Sequence, residues 1–224
     1  MRISFDGTLR RVLDVAVSTI TLVLLAPLLA SIALLIRLSS RGPVFFVQTR
    51  VGRGCAPFGL FKFRTMVIDA AAQGPTLTVG ADPRITRVGA VLRRYKLDEL
   101  PQFANVLRGD MSLVGPRPEV PEYVEQYTEE QRRVFAARPG ITDPASLAYH
   151  DEASLLAEFD DPERAYREQV LPRKLTISLA YLARRTVVSD LCVIVETALR
   201  MVVRPKPCQS SARQRAPSVP RRPE

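Results

Sequence analysis

The hydrophobic pattern of the chain begins with one long uncharged run. From Val15 to Ile36 the sequence reads VAVSTITLVLLAPLLASIALLI, without a charged residue. As a single helix this run would extend roughly 30 Å, about the hydrocarbon thickness of a bilayer. It fits a secretory signal peptide poorly, because it is long and no cleavage site of the A-x-A type follows it. A transmembrane span and a bent helix that enters and leaves one leaflet are the remaining interpretations.

Two details favour the bent, re-entrant helix slightly over a full span. Pro27 lies near the middle of the run, where proline removes a backbone hydrogen bond and bends a helix. Arginines flank both ends, with Arg10 and Arg11 before the run and Arg37 and Arg41 after it. The positive-inside tendency therefore places both ends on the cytoplasmic side of the membrane.

Shorter periodic segments follow and predict a small α/β unit. Residues 44–47 form a β-rich run after a Gly-Pro turn, and residues 60–66 alternate between apolar and basic positions. Apolar residues at helical spacing predict a helix over 85–92, and a second short helix over 97–107 ends at Gly109. Between them, residues 67–84 are predicted to be loop with a short helix.

The second half of the chain is predicted to be mainly helical. Residues 121–138 read as one amphipathic helix and residues 166–203 as apolar helix, interrupted by charges that exclude a membrane span. The last helix is therefore expected in the core or on a membrane surface, and it is a candidate homodimer surface. The predicted organisation is a basic N-terminus with the re-entrant helix (1–41), a catalytic domain (42–203) and a disordered basic tail (204–224).

Composition narrows the partners that this chain can have. It carries 32 Lys and Arg against 23 Asp and Glu, a formal charge of +9, so an anionic partner is expected. Nucleic acid, an anionic membrane and a phosphorylated substrate all qualify, but aromatic residues for base stacking are few and Trp is absent. His150 is the only histidine, which excludes chemistry that needs several. The three cysteines have no metal-binding spacing, which favours a reducing compartment.

The candidate chemistry lies in RRYKLDELPQFANVLRGDMSLVGPRP, where two adjacent acids follow a basic cluster. Asp98 has a structural alternative as the N-cap of the following helix, with Glu99 as a favourable first-turn acid. Basic residues near loops suggest an anion site instead, suited to phosphate: Lys62, Arg64, Arg93, Arg94, Lys96 and Arg117. In such a site one carboxylate can attack phosphorus and the other can hold Mg²⁺.

At these residues the chain resembles the bacterial sugar transferases, the monotopic phosphoglycosyl transferase family. The resemblance extends over about Arg10 to Thr142, and its central block is long and nearly unbroken. The matching segments are Arg10-Arg11 with Asp14, the apolar run, GPVFFVQTRVG, KFRTM, DPRITRVGAVLRR, LDELPQFANVLRGDMSLVGPRP and RPGIT. Ala26-Pro27 departs from the family, which often has Ser before this proline. The region after Thr142 looks more like the small-enzyme branch.

The resemblance implies an activity and a set of roles. Such enzymes transfer a sugar 1-phosphate from a UDP-sugar to polyprenyl (undecaprenyl) phosphate and release UMP, through a covalent enzyme–phosphosugar intermediate. By position, Asp98 matches the nucleophile and Glu99 the Mg²⁺ ligand, while Lys62 and Arg117 match phosphate-binding positions. The implied fold is a re-entrant membrane helix on a small cytosolic α/β domain, with amphipathic helices on the membrane surface. The implied location is the cytoplasmic face of the bacterial inner membrane, in contact with its lipids.

A hypothesis from another class rests on charge alone. A membrane-anchored basic adaptor that binds nucleic acid through its tail would explain residues 204–224 and the charge of +9. It leaves the acid pair unexplained, so a phosphoglycosyl transferase without a nucleic-acid partner is the preferred interpretation.

Overall fold

The computed structural model describes residues 2–70, 73–74 and 82–202, which form a mixed α/β protein. The predicted basic tail, 204–224, lies outside the described residues, as does part of the segment predicted to be loop with a short helix.

The long apolar run forms a bent pair of helices, α1 (Arg2–Leu24) and α2 (Ala26–Ser39). Their axes differ by 61° at Leu25. Among the described helices, none is by itself long and apolar enough to cross a bilayer, although this pair meets the criterion when its two halves are taken together. Pro27 lies in the first turn of α2, where its missing N–H needs no intrahelical acceptor. The Ser31 hydroxyl donates to the carbonyl oxygen of Pro27 at 2.8 Å.

Polar contacts join the middle of α1 to the rest of the protein. Arg10 forms an ion pair with Asp190 at 3.0 Å. Arg11 donates to two carbonyl oxygens at the end of α4 (Gln102–Arg108), and the buried Asp14 carboxylate accepts from the Leu113 N–H at 2.9 Å. Two of the arginines that the sequence offers as topology signals therefore also hold the helix pair on the domain.

A two-stranded antiparallel ribbon follows the helix pair. It consists of β1 (Phe45–Val51) and β2 (Pro57–Phe63), with Phe46 opposite Lys62 and Arg50 opposite Phe58. The first strand is longer than predicted. It continues to Val51, whose N–H donates to the carbonyl of Glu119 at 3.0 Å. A second, parallel pair joins β3 (Ser112–Val114) to β4 (Gly140–Thr142).

Two of the apolar clusters explain how these parts hold together. Ile32 and Ile36 of α2 pack with Phe63 of β2 and with Leu92, which attaches the helix pair to the ribbon. The largest cluster joins Val51 of β1 to apolar residues of the second half of the chain: Val120, Tyr123, Val124, Tyr127, Val134, Leu156, Ala165, Tyr166, Val170, Leu171 and Leu175.

The helices of the second half are shorter than the sequence predicts. Residues 121–138 do not form one helix, because Thr128 begins a new one, with its side chain and that of Gln131 forming a capping box. The predicted helix over 166–203 breaks at Arg185 and Thr186. The remaining helices are α3 (Arg87–Arg94), α5 (Pro121–Val124), α6 (Glu129–Arg132), α7 (Pro144–Ala148), α8 (Glu152–Leu156), α9 (Pro162–Ala165), α10 (Leu171–Arg184) and α11 (Val187–Val202).

Candidate active site

The two candidate acids lie in a short 3-10 turn, Leu97–Glu99, between α3 and α4. Lys96 precedes the turn in the left-handed conformation, with φ of 56°, which lets the chain change direction there. A non-glycine residue in this region costs about 1–2 kcal/mol, and such positions occur often at functional sites. The sharp reversal thus presents Asp98 and Glu99 at a fixed place between two helices.

Asp98 is not the helix cap that the sequence allowed. Helix α4 follows Pro101 and begins without a side-chain cap. The Asp98 side chain is buried, with 7% of the residue exposed, and its Oδ1 atom has no hydrogen-bond partner. A buried carboxylate oxygen without a partner is costly in a folded protein, so a ligand that completes its bonding is expected.

Glu99, unlike Asp98, has cationic partners. Its Oε1 atom lies 2.7 Å from Nη2 of Arg117 and 3.3 Å from Nζ of Lys62. Burial opposes ionisation of Glu99, but the charges of Arg117 and Lys62 outweigh it and hold its pKa well below the ordinary value. Both cations contact the same oxygen, which leaves Oε2 as the atom for a further ligand.

Burial and the neighbouring Glu99 raise the pKa of Asp98 above the ordinary value, against the smaller effects of Lys62, Lys96 and Arg93. The pKa values of these two adjacent acids are therefore shifted in opposite directions. A difference in pKa lets two carboxyl groups take different roles in one site. The ionised Asp98 is poorly solvated, which suits a nucleophile, while Glu99 is a stable anion.

A buried amide holds Lys62 next to the acid turn. Asn105 of α4 accepts from the Phe61 N–H at 3.0 Å and donates to the Gly59 carbonyl at 2.7 Å. These two bonds attach β2 to α4, because the amide pairs with the edge of β2 in the way that the backbone of a neighbouring strand would. The amide thereby fixes the distance between Lys62, on β2, and Glu99, just before α4. Sequence reasoning missed Asn105, because no local pattern distinguishes a buried amide from an exposed one.

Arg93 is placed on the other side of the acids by α3. Its Nε atom donates to Oγ1 of Thr65 at 2.8 Å, and its charge favours ionisation of Asp98. Helix α3 can approach this closely because Gly89 has no side chain. A Cβ atom there would collide with the carbonyl oxygen of Thr65.

Arg64, in contrast, donates its hydrogen bonds to the end of α2 and not to the acids. Its guanidinium group donates to the Arg41 carbonyl at 2.6 Å, and to the Ser40 carbonyl and hydroxyl at 3.0 and 2.8 Å. These bonds hold the guanidinium group at the connection between α2 and β1. The bonds of Arg64 are therefore structural, because carbonyl groups at the end of α2 need a donor, and its phosphate contact stays a prediction.

Behind Arg117 lies an ionic layer that the sequence analysis did not identify. Arg50 of β1 donates to the Pro118 carbonyl at 3.0 Å and forms an ion pair with Glu119 at 3.4 Å. The hydroxyl of Tyr166 donates to Oε1 of Glu119 at 2.7 Å. These contacts hold the loop after β3, and with it Arg117, against the ribbon.

A further orphan group lies one helical turn after Asp98. Gln102, at position i+4 from Asp98, is 2% exposed, and its Nε2 donor has no hydrogen-bond partner. A buried donor without a partner and a buried acceptor without a partner therefore belong to neighbouring turns. A phosphorylated ligand can accept from such a donor, which makes Gln102 a candidate site residue that the sequence analysis did not include.

The arrangement fits Mg²⁺ with few protein ligands. Within residues 2–70, 73–74 and 82–202, no group of three or more His, Cys, Asp or Glu side chains could enclose a metal ion. Mg²⁺ commonly binds through one or two carboxylates together with substrate phosphates and water. The ionised Glu99, together with the unpartnered oxygen of Asp98, could supply the oxygen donors for that mode.

Comparison with known proteins gives a consistent result. The family model described as "Bacterial sugar transferase" matches residues 5–204. An exopolysaccharide production protein of Rhizobium leguminosarum bv. phaseoli is 38% identical over 208 residues, which cover 90% of this chain and 98% of that protein.

Two relatives carry more specific names. The UDP-glucose:undecaprenyl-phosphate glucose-1-phosphate transferase of Caulobacter vibrioides is 47% identical over 62% of this chain. The UDP-N-acetylgalactosamine-undecaprenyl-phosphate N-acetylgalactosaminephosphotransferase of Aeromonas hydrophila is 42% identical over 63% of it. The matches span 53% of the first protein and 34% of the second, so this chain corresponds to only part of each.

Proposed function

The chain belongs to the bacterial sugar transferase family, and from this premise we propose that it transfers a sugar 1-phosphate from a UDP-sugar to a polyprenyl phosphate. Such a transfer is the first membrane step in the synthesis of a glycoconjugate. The observation that carries the proposal is the acid pair itself. A buried, unpartnered Asp98 stands beside a Glu99 that is bound by Lys62 and Arg117.

In the first half-reaction, an oxygen of the Asp98 carboxylate attacks the phosphorus that bears the sugar. The bond from this phosphorus to the bridging oxygen of the diphosphate breaks, and UMP leaves with that oxygen and its electron pair. The product is a mixed anhydride of Asp98 and the sugar phosphate. Because the carboxylate has given up most of its solvation in the folded protein, less water has to be removed before attack.

In the second half-reaction, a phosphate oxygen of the polyprenyl phosphate attacks the same phosphorus. The bond to Asp98 breaks, the carboxylate is regenerated, and the product is a polyprenyl diphosphate sugar. Two sequential displacements at one phosphorus allow a water-soluble donor and a lipid acceptor to use the same site in turn.

The surrounding residues have distinct roles in this scheme. Arg117 and Lys62 bind the diphosphate and offset the charge that moves to the leaving UMP, and Arg93 favours the ionised form of Asp98. Glu99 would hold Mg²⁺, which when bound would supply additional neutralisation of phosphate charge. The Arg50–Glu119 pair keeps the loop with Arg117 in position.

We place the helix pair in the membrane as a re-entrant hairpin, with the acid pair at the cytoplasmic surface of the bacterial inner membrane. The support is physical: the pair is bent by 61°, and it exposes large apolar side chains that include Ile20, Val23, Leu24, Leu34, Leu35 and Leu38. Exposed apolar area of this extent is unfavourable in water and favourable in lipid.

The proposal is tested by UMP release from a panel of UDP-sugars, with the purified protein, Mg²⁺ and undecaprenyl phosphate. We expect at least one donor to release more than one equivalent of UMP only when acceptor is present, and Asp98→Asn to abolish the release while retaining the melting temperature. UMP release by Asp98→Asn at the wild-type rate would remove Asp98 from the role of nucleophile.

A further inference from the structure

One apolar side chain lies on the same face of the ribbon as the site. Phe46 of β1 is directly opposite Lys62 of β2. Side chains of directly opposed residues project from the same face, with Cβ atoms about 4.5–5.5 Å apart. Since Lys62 reaches Glu99 from this face, the ring of Phe46 lies next to the cation that contacts the acid pair.

The exposure of Phe46 has no explanation in the packing of the described residues. It is 49% exposed and belongs to none of the apolar clusters found among them. Its neighbour Phe45 is similarly exposed, at 52%, but faces the other way and stacks on Phe63 with ring centroids 5.4 Å apart. Phe63 in turn packs on α2. Phe45 therefore has a structural partner, whereas Phe46 presents its ring beside the site.

On the face that carries Phe46, an apolar ring stands beside a cation. Because side chains alternate, this face carries Phe46, Gln48 and Arg50 of β1 opposite Lys62, Leu60 and Phe58 of β2. Leu60 and Phe58 pack in the cluster that includes Val106 of α4, whereas the ring of Phe46 is exposed. At the end of the ribbon near α2, this ring and the ammonium group of Lys62 are neighbours, which is complementary to a molecule with an apolar tail and an anionic head.

We propose that Phe46 and Lys62 form the acceptor subsite, in which the ring of Phe46 contacts the first isoprene units of the lipid while Lys62 binds its phosphate. This inference rests on the proposed function and assigns one of its two substrates to a place in the fold. Lys62 thereby serves the two substrates in turn, the donor diphosphate in the first half-reaction and the lipid phosphate in the second, and the lipid enters from the α2 end of the ribbon.

The test separates the two half-reactions. Adduct formation is followed with UDP-sugar alone by the mass of the protein, and discharge of the adduct is followed by adding undecaprenyl phosphate in mixed micelles. Phe46→Ala removes the ring, and Phe46→Leu keeps an apolar side chain. Phe45→Ala is the matched control, because it removes an equally exposed ring from the opposite face.

We expect Phe46→Ala to lower kcat/KM for undecaprenyl phosphate about tenfold, as the loss of a partly buried ring contact does, without changing the rate of adduct formation. Phe46→Leu should recover most of the loss, and Phe45→Ala should stay within about twofold of wild type. Thermal unfolding of each variant shows whether a loss of activity is due to a loss of folding. If Phe46→Ala does not fold, Phe46→Leu is compared with Phe45→Ala in its place.

Equal losses in Phe45→Ala and Phe46→Ala would mean general membrane contact and would overturn the subsite. A selective rise in KM for the UDP-sugar in Phe46→Ala would assign the ring to the nucleotide instead and would also overturn it. Absence of the adduct in the wild-type protein is a different result, since it contradicts the proposed function and not merely the position of the lipid.

Discussion

Arg117 Nη2 lies 2.7 Å from Oε1 of Glu99, so the loop after β3 is joined by an ion pair to the turn that carries both acids. The exposed fraction of the Arg117 side chain is 34%, against 15% for Glu99. The cation therefore sits where an incoming phosphate can reach it, while its carboxylate partner is enclosed. In the proposed function, binding of a substrate phosphate to Arg117 and binding of a metal ion to Glu99 would therefore be coupled through this pair.

The first prediction concerns the metal response of Glu99. Replacing it by Gln removes the negative charge but keeps the size of the side chain, so we expect activity to fall about 100-fold and the Mg²⁺ concentration for half-maximal activity to rise. The measurement is UMP release during a Mg²⁺ titration. Glu168→Gln is the control, since that carboxylate is exposed and pairs with Arg164 away from the acid turn, and its Mg²⁺ titration should match wild type. An unchanged titration in Glu99→Gln would restrict Glu99 to an ion-pair role.

The second prediction concerns the amide that attaches β2 to α4. Asn105→Leu leaves the Phe61 N–H and the Gly59 carbonyl without their partner, and each unsatisfied buried group costs about 1–3 kcal/mol. We expect the free energy of unfolding to fall by about 2–4 kcal/mol and activity to fall with it. Denaturant unfolding in detergent measures this free energy. Gln126→Leu, at an exposed amide, is the control and should change the free energy of unfolding little. Equal stability of the two variants would show that Asn105 does not hold the ribbon.

The third prediction distinguishes a structural Arg64 from a phosphate-binding one. Arg64→Lys has a single ammonium group, which cannot replace the fork of bonds to Ser40 and Arg41. We expect a lower melting temperature with an unchanged KM for the UDP-sugar. Arg117→Lys should instead raise that KM about tenfold or more, because a forked phosphate contact is lost. A selective rise in KM for Arg64→Lys, without loss of stability, would return Arg64 to the phosphate site.

The fourth prediction addresses the path of the helix pair. Single cysteines at Gly7 and Arg41, in a chain whose native cysteines are replaced by Ser, should both resist an impermeant thiol reagent applied from the periplasm. Both should react when the membrane is inverted. Gly7 is suitable because a side chain there meets no other atom within 4 Å. Periplasmic labelling at just one position would replace the re-entrant hairpin with a full span.

Periodicity allowed the main elements to be predicted from the sequence, but not where they break. The alternation over 60–66 indicates the ribbon, and the helical spacing over 85–92 indicates α3. The break before Thr128 was missed, although Thr-Glu-Glu-Gln fits the capping-box pattern, because the apolar spacing continues across it. Periodicity reports which face is buried, whereas helix ends depend on a few hydrogen bonds.

The acid pair could be located from the sequence because charge and spacing are local properties, and the same pattern brought Lys62 and Arg117 into the prediction. The different environments of Asp98 and Glu99 could not be predicted, since they depend on which cations the fold brings near. Arg64 shows the converse case. Its charge suggested a phosphate contact, but the nearest acceptors in three dimensions are carbonyl groups after α2.

The central claim is that Asp98 becomes covalently attached to the sugar phosphate, and it is tested most directly by mass spectrometry after addition of a UDP-sugar and Mg²⁺ without acceptor. We predict that the protein gains the mass of one sugar phosphate on the peptide containing Asp98, that undecaprenyl phosphate removes it, and that Asp98→Asn never acquires it. Acceptor-dependent release of UMP by a protein that never gains this mass, even when rapidly quenched, would contradict the account.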